Sequence, residues 1–157
     1  MRNSVIIGCD NAGVELKKVL LHTLQEQGIA AEDVGCADAK DETYYPYIAQ
    51  ALCRRVIDSG YQKRGILICG TGIGMSICAN KFEGIRAAVC HDNYSAERLI
   101  LSNDGNVICF GARVVGAELA KKILLEWLSL EFVDGSSTPK VEAIESIERE
   151  SFKSHRM

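Results

Sequence analysis

The feature that most constrains the fold is an apolar run that passes directly into a glycine-rich turn. Residues 66–69 are apolar, and Gly70, Gly72 and Gly74 follow at once. Such a run is typical of a strand buried on both faces of a sheet. Residues 75–81 then have a helical pattern. Because a strand that leads through glycines into a helix directs backbone N–H groups at an anion, the sequence predicts an α/β fold with an anion-binding turn.

The rest of the chain alternates between strand-like and helix-like segments. Further strands are predicted over residues 4–9, 29–34, 84–90 and 106–110, and further helices over 14–27, 46–59, 95–102, 117–132 and 139–152. This alternation implies a parallel sheet, because parallel strands need crossover connections. We therefore predict a single domain over residues 1–157, a three-layer αβα Rossmann-like sandwich around a five-stranded parallel sheet. The last helix has a narrow apolar stripe, which favours packing on a partner subunit.

Four predicted turns follow strands and are expected to meet at one edge of the sheet. They cover residues 10–13, 70–74, 91–94 and 111–116. In open parallel sheets, ligands bind at the carboxyl ends of the strands, near a switch in strand order. The sequence therefore predicts a ligand site formed by these turns.

Composition excludes several classes of protein. The formal net charge is −3, and no basic stripe is present, so nucleic acid is not an expected partner. The longest apolar runs are too short to cross a membrane. The N-terminus lacks the layout of a signal peptide, and the seven cysteines form no C-x-x-C motif and no metal-ligand spacing. We expect a reduced, cytoplasmic protein without a metal site.

The glycine turn carries a thiol, Cys69, and a hydroxyl, Thr71. A thiol at a helix N-terminus ionises more readily than an ordinary thiol, and a thiolate serves as base or nucleophile. The backbone N–H groups of the turn form a cradle for a developing oxyanion. The alternatives are a tight packing turn and a buried structural thiol, as expected for Cys9, Cys90 and Cys109.

Two charged residues in the other turns have two interpretations each. Asp10 is suited to bind a sugar hydroxyl or to cap the helix that follows it. Arg113 is suited to bind a phosphate or to form a surface ion pair. The glycine spacing matches neither a P-loop nor a dinucleotide-binding turn. His91 gives only a weak signal.

Four stretches together resemble a known family. They are residues 8–13, 68–76, 84–92 and 111–116, with lesser matches at 45–46 and 103–106. Over about residues 4–135 the chain resembles the ribose-5-phosphate isomerase B and galactose-6-phosphate isomerase family. The resemblance implies an aldose–ketose isomerase that acts on a sugar phosphate through a cis-enediolate, with no metal or cofactor.

The resemblance also assigns roles to residues of this chain. Cys69 would be the base that moves a proton between C1 and C2, and Thr71 would move the hydroxyl proton. The backbone N–H groups of the turn would hold the enediolate; its glycines are Gly70, Gly72 and Gly74. Asp10, Asn103 and Arg113 match substrate contacts. The family's site is shared between subunits, so a homodimer or homotetramer is expected, with Tyr45 contributed by the neighbouring subunit.

Several positions depart from the family pattern. Asn11 and Ser102 each replace a histidine, and the second of those histidines opens the sugar ring in the family. An arginine that grips phosphate is replaced by Ser136, and Lys140 substitutes for another only as a point charge. Tyr44 replaces an aspartate. We keep Asn11, Ser102 and Lys140 among the candidate substrate-binding residues.

These departures argue against plain ribose 5-phosphate as the substrate. A tetrose or tetrulose 4-phosphate has no free O4 and cannot close a furanose ring, so it does not need the ring-opening histidine. The alternatives are a ribose-5-phosphate or galactose-6-phosphate isomerase, including a heteromeric subunit, and a non-catalytic sugar-phosphate-binding relative. Thiol redox chemistry and dinucleotide binding are weaker alternatives.

Overall fold

A computed structural model of the chain describes residues 4–154. The strands are β1 (Ser4–Cys9), β2 (Ala30–Asp33), β3 (Arg64–Cys69), β4 (Ala87–Val89) and β5 (Val107–Gly111). The helices are α1 (Val14–Glu26), α2 (Tyr45–Asp58), α3 (Ile73–Ala79), α4 (Asn93–Leu101), α5 (Ala117–Ser129) and α6 (Thr138–Ser154). A short 3₁₀ helix, Asn11–Gly13, precedes α1.

The five strands form one sheet in the order β2-β1-β3-β5-β4, and every pair is parallel. This confirms the predicted α/β, Rossmann-like architecture. The chain adds β2 beyond β1 and then returns past β1 to form β3, so the strand order switches beside β3. The last residue of β3, Cys69, is level with Gly111 at the end of β5. The expected ligand edge is therefore formed by β1, β3 and β5.

The core lies on both faces of the central strand. All six residues of β3 are buried, as expected for a strand covered by helices on either side. Helix α2 packs with α3, while α1 and α4 pack with α5. These contacts divide the helices between two layers and leave the carboxyl edge of the sheet to the turns.

Three strands differ in length from the prediction, of which β2 is shorter by one residue at each end. β3 begins at Arg64 because this arginine is buried, donates to the Trp127 carbonyl at 3.0 Å, and lies over the Trp127 ring. β4 covers only Ala87–Val89, since it is an edge strand paired with β5 alone. Just before it, the Arg86 N–H bonds to the Asn106 side chain at 2.9 Å instead of to a strand.

Helix α6 is tied to the opposite, amino-terminal edge of the sheet. Glu148 accepts the Gly84 N–H at 3.0 Å, and Glu145 lies 3.5 Å from Arg86. Of the predicted apolar stripe, Val141 is buried, whereas Ile144 and Ile147 are exposed. Packing of this helix on a partner subunit stays a prediction. Among the helices of residues 4–154, none has the length and apolar character needed to cross a membrane.

Candidate active site

The glycine turn is built around a left-handed residue and a bonded thiol. Gly72 has φ +78°, and a methyl group on it would lie 3.0 Å from the Phe110 carbonyl carbon. Only glycine adopts this conformation in so narrow a space without strain. The Gly72 N–H donates to the Cys69 Sγ at 3.1 Å, and the Ile73 N–H donates to the Thr71 Oγ1 at 3.3 Å. The turn therefore directs backbone N–H groups at both candidate side chains.

The cysteines differ in what surrounds their thiols. Burial raises the pKa of Cys9, Cys53 and Cys90 to about 12 each, and it raises the pKa of Cys109 well above its ordinary value. These thiols are small core side chains, as the sequence predicted for three of them. Cys69 differs because its sulfur accepts a backbone N–H at the mouth of a turn.

Asp10 lies beside Cys69 because two strand ends are joined there. Its own N–H donates to the Ile68 carbonyl at 3.1 Å, and its Oδ1 accepts the Ala12 N–H at 3.0 Å. The second bond caps the short 3₁₀ helix, whereas α1 itself follows Gly13 and has no side-chain cap, so Asp10 caps the element before the predicted one. The same bonds fix a carboxylate next to the glycine turn, where it is also suited to accept a hydroxyl.

Tyr45 closes one side of the turn. It is the first residue of α2, and its Cζ lies 2.6 Å from the position a methyl group on Gly74 would take. Within one chain Tyr45 therefore contacts its own glycine turn, and a contribution of Tyr45 to a neighbouring subunit's site stays a prediction. Tyr45 reaches the turn from its own chain because the loop after β2 returns along the carboxyl edge before α2 begins.

A cleft of ≈ 440 Å³ opens beside Tyr45. Its lining combines residues of the first turn with the segment that leads into α2: Asp10, Asn11, Glu42, Thr43, Tyr44, Tyr45 and Pro46. The mixture of carboxylate, amide, hydroxyl and aromatic groups suits a small polyhydroxylated molecule.

Arg113 supplies a cation at the other side of the turn. The Arg113 N–H donates to the Gly70 carbonyl at 3.0 Å, and the Ala112 N–H donates to the Cys69 carbonyl at 2.8 Å. The guanidinium lies over Gly70, with its Nη1 3.1 Å from the position of a methyl group there. Within residues 4–154 it forms no ion pair with a carboxylate, which favours anion binding over the surface ion pair. We call Asp10, Tyr45, Cys69, Thr71 and Arg113 the turn cluster.

Three candidate residues lie elsewhere. Ser102 and Asn103 follow the carboxyl end of α4, which starts at the ligand edge and runs back to the opposite edge of the sheet. The Asn103 Nδ2 donates to the Arg98 carbonyl at 3.0 Å. Lys140 is one helical turn from Ile144, which shares a groove with Asn103. We call Ser102, Asn103 and Lys140 the helix-end cluster. A single chain does not bring it to the turn cluster, because α4 separates the two edges.

Some residues at the carboxyl edge of the sheet matter more than the sequence indicated. His91, which gave only a weak signal, accepts the Gly111 N–H on its Nε2 at 2.8 Å, and burial lowers its pKa. Its position just after a predicted strand was the available signal. Glu42 and Thr43 line the cleft but carry no motif. Among residues 4–154, no group of three or more His, Cys, Asp or Glu side chains is placed to hold a metal ion.

The fold and the site together define a class of protein. It is an α/β enzyme fold whose ligand edge combines a bonded thiol, backbone N–H groups and a cation. The chain belongs to the ribose/galactose isomerase family, whose model matches residues 5–144. It is therefore an aldose–ketose isomerase of sugar phosphates, as the resemblance implied.

Relatives that are named for different activities are similar to this chain over nearly its whole length. A D-erythrulose-4-phosphate isomerase from Pectobacterium atrosepticum is 49% identical, over 90% of this chain and 92% of its own. A ribose-5-phosphate isomerase B from Listeria innocua is 46% identical, over 94% and 98%. The solved ribose-5-phosphate isomerase B of Clostridium thermocellum has a TM-score of 0.88 at 38% identity, over 94% and 99%. The relatives agree on the class of reaction and differ in the sugar.

Proposed function

We propose that the chain interconverts a four-carbon ketose phosphate and its aldose, of the erythrulose 4-phosphate type, with Cys69 as the base. The observation that carries this proposal is the Cys69 sulfur, which accepts a backbone N–H inside a turn that also faces Asp10 and Arg113. A thiolate stabilised by a hydrogen bond next to an oxyanion cradle fits proton abstraction beside a carbonyl group.

The proposed reaction moves two protons and no other atoms. From the ketose, the Cys69 thiolate takes a proton from C1, and the electron pair of that C–H bond forms the C1–C2 double bond. The carbonyl oxygen at C2 becomes an oxyanion, which the N–H groups of the turn stabilise. Thr71 carries the hydroxyl proton from O1 to O2. The Cys69 thiol then returns its proton to C2, which leaves an aldehyde at C1.

The remaining members of the turn cluster orient the substrate in this scheme. The Asp10 carboxylate accepts a hydroxyl group, and the Tyr45 ring covers the turn at Gly74. Arg113 attracts a negatively charged group through its guanidinium. Asn11 in the cleft provides an amide, which binds a hydroxyl but cannot relay a proton as a histidine does.

The missing ring-opening group favours a four-carbon sugar. Ser102 stands where the family has a histidine, and its hydroxyl accepts from Arg98 NH1 at 3.4 Å. A serine hydroxyl does not titrate near neutral pH, so it is a poor acid or base for opening a furanose ring. A four-carbon 4-phosphate is open because O4 is esterified. The Pectobacterium relative, which is named for such a substrate, supports the same choice.

We also propose that a second copy of the chain completes the site with its helix-end cluster. This is supported by the separation of that cluster from the turn cluster within one chain. Helix α3 follows the turn directly and exposes Ile73 and Ile77, one helical turn apart. An apolar stripe of this kind next to a site suits contact with another subunit. Such an arrangement makes the homodimer the smallest active form.

The first experiment is a substrate panel of four-, five- and six-carbon aldose and ketose phosphates with wild type and Cys69→Ala. We expect wild type to favour erythrulose and erythrose 4-phosphates. Cys69→Ala should lose both turnover and exchange of the substrate C–H proton with deuterated water, while calorimetry still detects binding. Cys78→Ala is the matched control, because Cys78 is a partly exposed thiol on α3. Good turnover of ribose 5-phosphate without turnover of four-carbon substrates contradicts the proposed substrate.

A mixing experiment tests the shared site. Chains that carry Cys69→Ala and chains that carry Asn103→Ala are each expected to be inactive. After unfolding and joint refolding, a mixed dimer has one site with both residues intact, so activity should reappear. If the mixture stays inactive while sedimentation shows mixed dimers, the two clusters do not meet across a subunit boundary.

Ribose-5-phosphate isomerase is the second candidate function. The observation in its favour is the Listeria relative, whose identity to this chain is close to that of the erythrulose-4-phosphate isomerase. It requires another group to open the ring in place of Ser102. The same substrate panel separates the two candidates, since each names the sugar that should give the higher kcat/KM.

A further inference from the structure

The strand next to β5 ends before β5 does. β4 stops at Val89, and the Cys90 N–H makes the next bond to the Cys109 carbonyl at 3.2 Å. At the end of β5, the N–H of Gly111 points to the side on which β4 no longer pairs with β5. Its acceptor is a side chain, the His91 Nε2, at 2.8 Å. An imidazole therefore continues the β4–β5 ladder by one bond.

Gly111 is packed directly against the glycine turn. A methyl group on Gly111 would lie 2.7 Å from backbone atoms of Thr71. The next two residues, Ala112 and Arg113, donate their N–H groups to the carbonyls of Cys69 and Gly70 at 2.8 and 3.0 Å. The end of β5 is thus held by His91 on one side and by the reactive turn on the other.

We propose that His91 is a positioning residue for the isomerase reaction. Its unprotonated Nε2 holds Gly111 against Thr71 and so keeps the Cys69 turn and the Arg113 backbone in the reacting geometry. This inference rests on the proposed function, because it assigns a role to His91 in that reaction. His91 itself touches neither the proposed substrate nor the reacting atoms.

The proposed contact has a defined protonation state. An imidazolium carries a proton on both nitrogens and cannot accept the Gly111 N–H. Burial lowers the pKa of His91, while the negative charge of Asp92 opposes this shift. Among the residues that the structure describes, Asp92 is the one charged group that shifts this pKa. Acid is therefore expected to release the end of β5 at a pH below the ordinary histidine value of about 6.5.

The experiment compares His91→Gln, whose amide oxygen accepts a hydrogen bond, with His91→Leu, which cannot accept one. His22→Gln is the control, because His22 is an exposed histidine on α1. In His91→Leu we expect kcat to fall about tenfold or more, because the displaced turn stabilises the transition state less well. A tenfold fall is about the free energy of one hydrogen bond. His91→Gln should keep most of the activity. Its kcat should not fall at acid pH in the way that we expect for wild type and His22→Gln. Exchange of the Gly111 amide, followed by NMR, should accelerate at least about tenfold in His91→Leu alone.

The outcomes separate this inference from the proposed function. Unchanged Gly111 exchange in His91→Leu overturns the inference, and so does faster exchange with unchanged kcat and pH profile. If wild type turns over no sugar phosphate, the proposed function fails. The positioning role is then tested by the affinity for inorganic phosphate, which should fall in His91→Leu and not in His22→Gln. Equal phosphate affinity in both variants also overturns it.

Discussion

The turn cluster and the helix-end cluster are built in different ways. The turn cluster stands on or beside the ends of β1, β3 and β5, and backbone bonds join its segments: Asp10 to Ile68, Ala112 to Cys69, and Arg113 to Gly70. In the helix-end cluster, Ser102 and Asn103 follow α4 and are held mainly by bonds to Arg98. The first cluster is fixed by the sheet, and the second depends on how one helix ends.

The two clusters also differ in how well they match the family pattern that the sequence resembles. In the turn cluster, Cys69 and Thr71 match the pattern that the sequence resembles, whereas in the helix-end cluster Ser102 departs from it and Lys140 stands in for an arginine. A turn locked between strands tolerates little change, because each residue occupies space that its neighbours define. A helix end accepts a new side chain without moving the sheet. We infer that reaction type resides in the turn cluster and substrate choice in the helix-end cluster.

The largest expected effect is on the turn cluster itself. Cys69→Ser should lower kcat about 10³-fold for every sugar phosphate that wild type accepts, because a hydroxyl is a far weaker base than a thiolate. Steady-state kinetics over the substrate panel measures this, with Cys78→Ser as the matched control. A loss that is confined to one sugar would mean that Cys69 sets substrate choice, which would reverse the comparison.

The next effect belongs to the helix-end cluster. Ser102→His should raise kcat/KM for ribose 5-phosphate relative to erythrulose 4-phosphate about tenfold, because a histidine can act as the acid or base that opens the ring. The ratio of the two kcat/KM values is the measurement, and Ser129→His, at an exposed position near the end of α5, is the control. An unchanged ratio would remove Ser102 from the determinants of the substrate.

A smaller effect tests how tightly the turn is locked. Gly72→Ala and Gly28→Ala both place alanine at a left-handed φ, +78° and +68°, but nothing lies within 4 Å of a methyl group at Gly28. The free energy of unfolding should fall by about 1–2 kcal/mol at Gly28, from backbone strain alone. Gly72→Ala should lose more, because its methyl group also meets the Phe110 carbonyl.

Urea denaturation gives both stability values, and only Gly72→Ala should also lose activity. Equal stability and full activity in both variants would show that the turn tolerates rearrangement, and the proposed rigidity of the turn cluster would be wrong.

The smallest effect concerns the helix that connects the two edges. Asp92 accepts the Ser95 hydroxyl and the Ser95 backbone N–H, each at 2.7 Å, and these hydrogen bonds lower the pKa of its carboxyl group. A lowered carboxylate pKa gives stability that is present above the ordinary aspartate value and is lost as pH falls through the folded value. Asp92→Ala should therefore lower Tm by a few degrees at pH 7, and by less at acid pH.

Thermal unfolding from pH 7 to acid, with Asp58→Ala at an exposed site as control, measures this effect. If α4 positions the helix-end cluster, Asp92→Ala should also change the ratio of kcat/KM between five- and four-carbon substrates more than it changes kcat. A Tm difference that does not depend on pH would contradict the capping role of the carboxylate.

Much of the fold followed from local pattern. The apolar runs at β1 and β3 and the glycines after Cys69 predicted the parallel sheet and its ligand edge. The ends of weak elements were less predictable, since β4 is set by its single neighbour, and Arg64 extends β3 opposite Val5 with its guanidinium over the Trp127 ring. His91 was undervalued because its partner is a backbone N–H twenty residues away, which leaves no mark on composition or spacing.

The sequence by itself determined the alternation of strands and helices, the glycine turn with its thiol, and the departures at Asn11 and Ser102. Those properties depend on residue type and short spacing. Only the tertiary structure decided that Tyr45 covers Gly74 from the same chain and that Ser102 and Asn103 lie at the opposite edge from Cys69. Distances between segments depend on strand order and helix direction, because a parallel strand and the helix after it run in opposite senses and carry their ends to opposite edges of the sheet.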